Sequence, residues 1–539
     1  MDDERSGQRR QEDATFKRLI DLGIALSAER DHNRLMERIL LEAKAIYNAD
    51  GGTLYLRTEA NKLSFEIMRS DTLDIAMGGT TGRDIPFPPL SMYDSESGEP
   101  NHNNVATHVA LSGETVNIPD AYETETFDFS GAKKFDQDTG YRSRSFLTLP
   151  LRNYDQDVIA VLQLINARDH KTDEVVAFEP ALQPLIESMT SQAAVALDNQ
   201  MLIEAQRELL ESFIQMIASA IDAKSPYTGG HCQRVPVLTE MLAEAACRAK
   251  EGPCKEFDLN EEEMYELHIA GWMHDCGKVT TPEYVVDKST KLETIYDRIE
   301  TVRTRFEVLK RDAEIAYLKA CARDGADKKA LRAKFKARVA QLEDDCLFIE
   351  TANVGGEFME DAKIERVNKI ARYRWRDWTG KTQEFLDENE VYNLSIARGT
   401  LTHEEREVIN NHIVMTIEML EQLPFPKHLK RVPEYAGGHH EKMDGTGYPK
   451  GLKAADMSLP ARMMAIADIF EALTAADRPY KKPKTLTDSL RIMSFMVKDQ
   501  HIDPELFELF LESGVYRDYA DKFLLPDQID DVDVQDYLN

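Results

Sequence analysis

The chain has 539 residues, which is long enough for several domains that each bury a core. Its 96 Asp and Glu residues outnumber its 66 Lys and Arg residues, and the formal net charge is −30. Such a charge repels nucleic acid and acidic membrane surfaces, so we expect neither as a partner.

The cysteines, the first residues and the apolar runs indicate the cellular compartment of the protein. None of the six cysteines forms a CxxC pair, and the first residues, "MDDERSGQRRQED", are not typical of a signal peptide. No apolar run approaches the about 20 residues that a membrane-spanning helix needs. We therefore expect a cytoplasmic protein without a membrane span.

The first third of the chain predicts an α+β domain over residues 15–180. Residues 15–48 have the apolar spacing of an amphipathic helix with a break near Asp31. Two β-rich hairpins follow, "GGTLYLRTEANKLSFEIMRS" and "RSFLTLPLRNYDQDVIAVLQLINAR". This order favours an antiparallel sheet flanked by helices.

The segments "FDQDTGYRSRSFLTLPL" and "DVIAVLQLINA" resemble a GAF domain, a small-molecule sensory module. GAF domains that bind cyclic nucleotides carry an Asn-Lys pair, and further on a Phe and an Asp-Glu pair. Here Ala167 follows Asn166, and Phe178 has no such pair at the expected distance. The resemblance implies a sensor fold without implying a cyclic-nucleotide ligand. Binding of a small molecule and a role in dimerisation alone both stay open.

Residues 181–222 predict one long helix, in which Pro184 suits the first turn. Seam positions recur at alternating steps of three and four residues, as in a coiled coil, with polar interruptions at Gln200 and Arg207. We favour a parallel stalk that makes a homodimer over a helix that packs on its own domains. The seam consists of Leu182, Ile186, Met189, Ala193, Ala196, Gln200, Ile203, Arg207, Leu210, Ile214, Ile217 and Ile221.

The rest of the chain predicts an all-α domain over residues 223–520 and an acidic tail over 521–539. Residues 291–390 interrupt it with two amphipathic helices around the polar break "ARDGADKK", which predicts an antiparallel helical hairpin. Its charged surface is interpreted as a solvated face. Partner binding or bracing of a dimer is the alternative.

Five short segments of this region combine imidazole or carboxylate groups, several of them beside glycine: "GGHCQRV", "GWMHDCGKV", "VINNHIV", "GGHHEKMDGTGYP" and "AIADIF". Both groups are ligands for borderline divalent metals, and a carboxylate beside a histidine can bridge two ions. The pattern predicts a dinuclear metal hydrolase. Lys278 lies about one helical turn after Asp275, so it can face the same site.

The stretch "HDCGKV…HHEKMDGTGYPKGL…ADIFEALTAADRPYKK" resembles the HD-GYP subgroup of the HD phosphohydrolase superfamily. The resemblance implies a phosphodiesterase that hydrolyses cyclic di-GMP to linear pGpG, GMP or both. It also implies divalent metals, with Fe or Mn expected and Ni, Co or Zn as alternatives. The implied ligands are His231, His274, Asp275 and Asp468 for one ion, and His412, His439 and His440 for a second ion that Asp275 shares.

The same resemblance assigns further roles. Lys278 would act beside Asp275 in catalysis, and Glu441 could orient an imidazole from behind the ligands. In "DGTGYP", glycines permit tight turns and close approach of a ligand. The implied substrate-binding residues are Arg478, Lys481, Gly445 and Tyr448. A purely structural turn is the alternative for Tyr448.

Two departures from the family pattern matter. Members with three metals have a glutamate four residues before the first histidine, where this chain has Tyr227, so we expect two metals. The long insertion over residues 291–390 stands where the family has a short link, and it could shape the rim of the active site.

The sequence therefore predicts a multidomain protein with an α+β GAF domain, a helical stalk and an all-α HD-GYP domain that carries a helical-hairpin insertion. The leading hypothesis is a cyclic dinucleotide phosphodiesterase whose activity is set by its GAF domain through the stalk. Alternatives are 3',3'-cyclic GMP-AMP as the substrate, another HD-type phosphohydrolase that acts on nucleotides or alarmones, and a degenerate HD-GYP scaffold that signals by binding partners.

Overall fold

The computed structural model describes residues 21, 23–26, 28–224, 230–252, 254–355, 358–476 and 483–538. The chain divides into two compact units, residues 1–209 and 210–539. Each unit has its own buried apolar core.

The first unit is built on an antiparallel sheet with the strand order β3-β2-β1-β7-β6-β5, with β4 beside β2 and β8 beside β7. Both predicted hairpins are present, as β1–β2 and as β6–β7. The strands are β1 (Ala49–Arg57), β2 (Lys62–Ser70), β3 (Ile75–Gly78), β4 (Leu90–Ser91), β5 (Val116–Ile118), β6 (Phe146–Arg152), β7 (Val158–Arg168) and β8 (Val175–Val176).

Helices cover both faces of this sheet. They are α1 (His32–Tyr47), α2 (Val105–Ser112), α3 (Ser130–Thr139) and the first part of α4 (Gln183–Lys224). Asp31 caps α1 by accepting from the amide of Arg34, so the predicted break at Asp31 is the start of a helix. One face of the sheet packs on Leu35 and Ile39 of α1, and the other on Val105 and Val109 of α2. The predicted α+β class is confirmed.

The predicted long helix is α4, which has 42 residues. Its predicted seam is largely occupied by the chain's own cores: Ile186, Met189 and Ala193 lie in the first core, and Ile214 and Ile221 in the second. At these positions the packing is therefore intramolecular, contrary to the interpretation that we favoured. A different stripe of α4 is exposed, at seven-residue intervals: Val195, Leu202, Leu209 and Met216.

In its described residues the second unit is helical, as predicted, apart from a small two-stranded sheet inside the insertion. Its helices outside the insertion are α5 (His231–Arg248), α6 (Glu261–Met273), α7 (Glu283–Val286), α11 (Glu388–Leu394), α12 (His403–Asn410), α13 (His412–Glu421), α14 (Val432–Gly437), α15 (Leu459–Thr474), α16 (Leu486–Lys498), α17 (Pro504–Glu512) and α18 (Val515–Phe523).

The insertion contains the predicted helical hairpin, α8 (Ile299–Cys321) and α9 (Lys328–Asn353), in which the rings of Tyr317 and Phe335 stack at 5.1 Å. The helix α10 (Asp361–Ala371) and the strands β9 (Arg374–Arg376) and β10 (Thr382–Glu384) complete it. Its apolar side chains form a separate core. The hairpin begins at Ile299, and the preceding Ile295 is almost fully exposed.

The acidic end of the chain contains apolar side chains that pack against the core of the second unit, among them Ile529, Val532 and Tyr537. Within the described ranges, no helix has the length and apolar character to cross a membrane.

Candidate metal centre

The histidine and aspartate side chains predicted as ligands come together in the second unit. Most of them lie at the end of a helix. His231 is the first residue of α5, and His274 ends α6 and is followed directly by Asp275. His412 begins α13, and Asn411 separates it from the end of α12. His439 and His440 follow α14, and Asp468 lies in α15.

The first cluster surrounds His231. Its Nε2 lies 3.3 Å from Nε2 of His274, 3.2 Å from Oδ2 of Asp275 and 3.3 Å from Oδ1 of Asp468. His274 Nε2 also lies 3.3 Å from the same Asp275 oxygen. All but Asp468 are buried, and Asp468 is only slightly exposed.

The second cluster consists of His412, His439 and His440. The Nε2 atoms of His412 and His440 are 3.2 Å apart, and the rings of His439 and His440 have centroids 4.2 Å apart. Asp275 lies between the clusters: its Oδ2 faces the first, while its Oδ1 lies 3.3 Å from His412 Nε2. One carboxylate therefore faces both groups of imidazoles.

Hydrogen bonds fix which ring nitrogen faces the clusters. The Nδ1 atoms of His274, His412 and His439 lie 2.6, 2.5 and 2.6 Å from the carbonyl oxygens of Gly271, Ile409 and Ala436, each three residues earlier. A carbonyl only accepts, so each Nδ1 carries the proton and donates it. The unprotonated Nε2 then faces the cluster, which is the arrangement that metal-binding histidines require.

The donor set fits two divalent metals. With metal–ligand bonds of about 2.1 Å, neighbouring ligand atoms lie roughly 3.0–3.4 Å apart, which is the spacing seen between these Nε2 and carboxylate atoms. Among the described residues, none donates a hydrogen bond to the buried Oδ1 of Asp275. An ionised buried oxygen without a donor is costly, and a shared cation would satisfy it.

The electrostatics of the second cluster and of Asp275 also favour a cation. Burial lowers the pKa of His440 to about 4, and burial together with His440 and His274 holds the pKa of His439 well below its ordinary value. Burial opposes ionisation of Asp275, but Lys278 and His274 hold its pKa well below the usual range. Neutral imidazoles and ionised carboxylates are the protonation states that bind metal.

Lys278 faces the site, as the spacing predicted. Its Nζ lies 2.5 Å from Oδ2 of Asp275. Asp275 directly precedes the 3-10 helix Cys276–Thr280, and Lys278 lies within that helix. Burial lowers the pKa of Lys278, but Asp275 and Asp468 raise it above its ordinary value overall. The ammonium therefore stays protonated and can hold an anionic oxygen beside the bridging carboxylate.

Glu471 is a site residue that the sequence interpretation missed. One of its oxygens bonds Nδ1 of His231, and Oε1 accepts from Nε of Arg234 at 2.7 Å. A buried carboxylate behind a ligand imidazole orients the ring and increases its basicity. Glu471 lies three residues after Asp468 on α15, so the helical spacing that identified Lys278 could also have identified Glu471.

The expectation for Glu441 was wrong. Its two oxygens accept from the backbone amides of Lys450 and Leu452 at 2.7 and 2.9 Å, so it fixes the "DGTGYP" loop instead of an imidazole. A side chain on Gly447 would come within 2.4 Å of the backbone of Lys442, which explains the glycine. Gly445 has a φ of 84°, a backbone conformation that favours glycine.

This loop lies against the second cluster. The Tyr448 ring stacks on His440 with centroids 4.9 Å apart, and the Tyr448 amide donates to the His440 carbonyl at 3.2 Å. Three other residues from the sequence predictions, Tyr227, Arg478 and Lys481, lie outside the described residues.

The first unit has a cavity of about 650 Å³ on the α2 face of its sheet. Aromatic side chains such as Tyr55 and Phe65 line it, together with the polar groups of Arg69 and Asn104. Asn166 is the residue that GAF domains with a cyclic-nucleotide ligand follow with a lysine, and it lies in β7. Its Oδ1 accepts from the amides of Arg144 and Ser145 at 2.7 and 3.2 Å, so it fixes the segment that precedes β6.

Comparison with known families matches both units. Residues 31–197 match the GAF domain family, and residues 389–506 match the family described as HD domain. The chain therefore combines an N-terminal GAF domain with a helical region that contains an HD domain. An HD phosphohydrolase domain implies binding of divalent metal.

Several curated proteins are similar to the chain. The 3'3'-cGAMP-specific phosphodiesterase 1 of Vibrio cholerae is 26% identical over 57% of this chain and 42% of that protein. The 3'3'-cGAMP-specific phosphodiesterase 3 of the same organism is 40% identical over 55% of this chain and 38% of that protein. The cyclic di-GMP phosphodiesterase of Thermotoga maritima is 35% identical over 23% of this chain and 34% of that protein. The matched regions thus span less than half of these relatives.

Proposed function

We propose that the protein is a cytoplasmic, metal-dependent phosphodiesterase that hydrolyses cyclic di-GMP to linear pGpG, GMP or both. The observation that carries the proposal is the Asp275 carboxylate, whose two oxygens face two separate groups of imidazoles. The names of the similar proteins support a cyclic dinucleotide as the substrate class.

Two ions account for the donor set. His231, His274, Asp275 and Asp468 would hold the first, and His412, His439 and His440 the second, with Asp275 shared between them. Fe or Mn is the proposed metal, with Ni, Co and Zn as alternatives. When bound, the metals activate a water for attack at phosphorus and neutralise charge on the phosphodiester oxygens.

The protein's own groups orient the ligand imidazoles and neutralise negative charge on the substrate. Glu471 and the three backbone carbonyls hold the imidazoles in their ligand tautomers. The Lys278 ammonium lies beside Asp275, where it can stabilise a developing oxyanion or donate a proton to the leaving oxygen. The Tyr448 ring, stacked on His440, offers a surface at the rim for a nucleobase, and Gly445 allows close approach. Arg478 and Lys481 remain proposed phosphate contacts.

The proposal is tested with purified protein that has been loaded with Mn²⁺ or, anaerobically, with Fe²⁺. We expect linear pGpG or GMP from cyclic di-GMP, measured by liquid chromatography. Absence of turnover for every cyclic dinucleotide across several metals would reject the enzyme and favour the degenerate scaffold that binds partners.

The second candidate substrate is 3',3'-cyclic GMP-AMP. It is supported by the names of two Vibrio cholerae proteins that each match more than half of this chain. Competition between the two cyclic dinucleotides in one reaction gives the ratio of their kcat/KM values directly. A ratio that favours cyclic GMP-AMP would replace cyclic di-GMP as the main substrate.

The GAF domain is proposed to regulate this activity by binding a small molecule. Its cavity of about 650 Å³, with an aromatic wall and polar groups, has the size and lining typical of a ligand pocket. Filling the cavity by Thr53→Trp should change the response to ligand without changing the metal content of the HD domain.

We propose that the protein forms a homodimer through α4. The contact surface is the exposed stripe of α4 and not the seam predicted from the sequence. Val195, Leu202, Leu209 and Met216 recur every seven residues and are each more than half exposed, as one seam of a coiled coil would be. Leu202→Glu with Leu209→Glu should convert the dimer to monomer in light-scattering measurements. A monomeric wild-type protein would contradict the dimer.

A further inference from the structure

The last turn of α4 is bonded to the turn that carries Asp275 and Lys278. Nζ of Lys224 donates to the carbonyl oxygens of Lys278, Val279 and Thr281 at 3.2, 2.5 and 2.6 Å. An ammonium has three protons, and here three carbonyls accept them. These carbonyls lie at the C-terminal end of the 3-10 helix Cys276–Thr280, where a positive charge also favours the helix dipole.

A second side chain of the same turn holds the other segment of the first cluster. Oδ2 of Asp222 accepts from the amide of Gly230 at 3.1 Å. Gly230 directly precedes His231, the ligand at the start of α5. Two residues of α4, Asp222 and Lys224, thus hold the segments that carry His231 and Asp275.

The space between these segments is nearly filled. A gap of about 10 Å³ is lined by Asp222, His231, Asp275 and Lys278, among others, which leaves room for about one water at most. Ile221, buried in the core of the second unit, closes the gap from the α4 side. A shift or rotation of the end of α4 would therefore move the ligand segments instead of being absorbed by empty space.

We infer that Lys224 and Asp222 are positioning residues, which set the separation of His231 and Asp275 and thereby the metal affinity of the centre. Neither side chain belongs to the ligand set. Asp222 acts through the amide next to His231, and Lys224 acts through carbonyls three to six residues after Asp275. Because both are carried at the end of a 42-residue helix, displacement of that helix would change the centre directly. The inference rests on the proposed metal centre and names one way in which its activity can be regulated.

The test compares Mn²⁺ binding by full-length wild type, Lys224→Met, Lys224→Arg and the control Lys522→Met, whose side chain is exposed on α18. Titration calorimetry gives the affinity for Mn²⁺ alone, and the melting temperature of metal-free protein reports stability. We expect Lys224→Met to weaken Mn²⁺ binding by tenfold or more, Lys224→Arg to recover to within threefold, and the melting temperatures to match the control.

Unchanged Mn²⁺ affinity in Lys224→Met would overturn the inference. A lowered metal-free melting temperature, with no recovery of Mn²⁺ affinity in Lys224→Arg, would also overturn it. That result would mean that Lys224 only stabilises the fold and does not position the ligands. Asp222→Ala is the second variant, and it should weaken binding in the same direction. Wild type that binds Mn²⁺ but hydrolyses no cyclic dinucleotide would defeat the proposed function and leave this comparison valid.

Discussion

The Cα of Gly277 lies so close to the carbonyl of His412 that a Cβ on Gly277 would be 1.9 Å from that oxygen. The amide of Gly277 also donates to Oγ1 of Thr416 at 2.9 Å. Gly277 follows Asp275 by two residues, and His412 belongs to the second cluster. This backbone contact therefore holds the two halves of the candidate centre together.

Gly277→Ala should separate these halves, because neither backbone can yield without moving its ligand. We expect destabilisation of at least about 1–3 kcal/mol, the usual cost of overpacking, and loss of metal from the protein. Urea denaturation and metal analysis measure the two effects. Gly131→Ala is the matched control, since its Cβ would meet nothing within 4 Å. Wild-type stability and metal content in Gly277→Ala would contradict the close contact.

Glu471→Gln tests the carboxylate behind His231. The substitution keeps the shape of the side chain but removes the charge that raises the pKa of His231 against the effect of burial. Loss of such a group typically weakens metal binding about 10–100-fold, and we expect a loss in that range, measured by titration with Mn²⁺. The exposed Glu508→Gln should bind like wild type. Equal affinity of the two variants would show that Glu471 does not orient the ligand.

Lys278→Met should lower kcat about 10²–10³-fold, the range seen when one donor to a developing oxyanion is removed. Metal content should stay near that of wild type, because Lys278 is not a ligand in the proposed centre. Steady-state kinetics with cyclic di-GMP, paired with metal analysis, measures this. Lys278→Arg keeps the charge and should retain more activity than methionine. Near-normal kcat in Lys278→Met would remove Lys278 from the mechanism.

Asp50 is predicted to stabilise the GAF domain in a pH-dependent way. Burial raises its pKa, but hydrogen bonds from Thr72 and Tyr141 and the charge of Arg168 lower it below its ordinary value overall. A carboxyl with a depressed pKa in the folded state stabilises above its unfolded pKa of about 3.9. That stabilisation is lost as the pH falls through the folded pKa.

Asp50→Asn should therefore lower the free energy of unfolding by about 1–3 kcal/mol at pH 7, with a smaller difference from wild type below about pH 3. Urea denaturation at the two pH values measures it. The exposed Asp155→Asn serves as the control. A difference that stays constant with pH would show that the charge of Asp50 is not responsible.

The sequence predicted most of this architecture because local patterns determine it. Alternating strands around polar turns predicted both hairpins, and the resemblance to the HD-GYP subgroup implied that His231, His274, Asp275 and His412 share one site. The seam of α4 was misassigned because heptad spacing does not distinguish a partner helix from the chain's own core. The role of Glu441 was also wrong, since adjacency to His440 in sequence does not determine where a side chain points. Its carboxylate accepts from backbone amides nine and eleven residues later.

The measurement that tests the central claim most directly is the metal content per chain of anaerobically purified wild type and Asp275→Ala, with the exposed Asp258→Asn as control. The shared carboxylate predicts about two divalent ions per chain in wild type and in the control, and loss of both in Asp275→Ala. Retention of two ions by Asp275→Ala, or a wild type that holds none after loading with Fe²⁺ or Mn²⁺, would contradict the dinuclear centre.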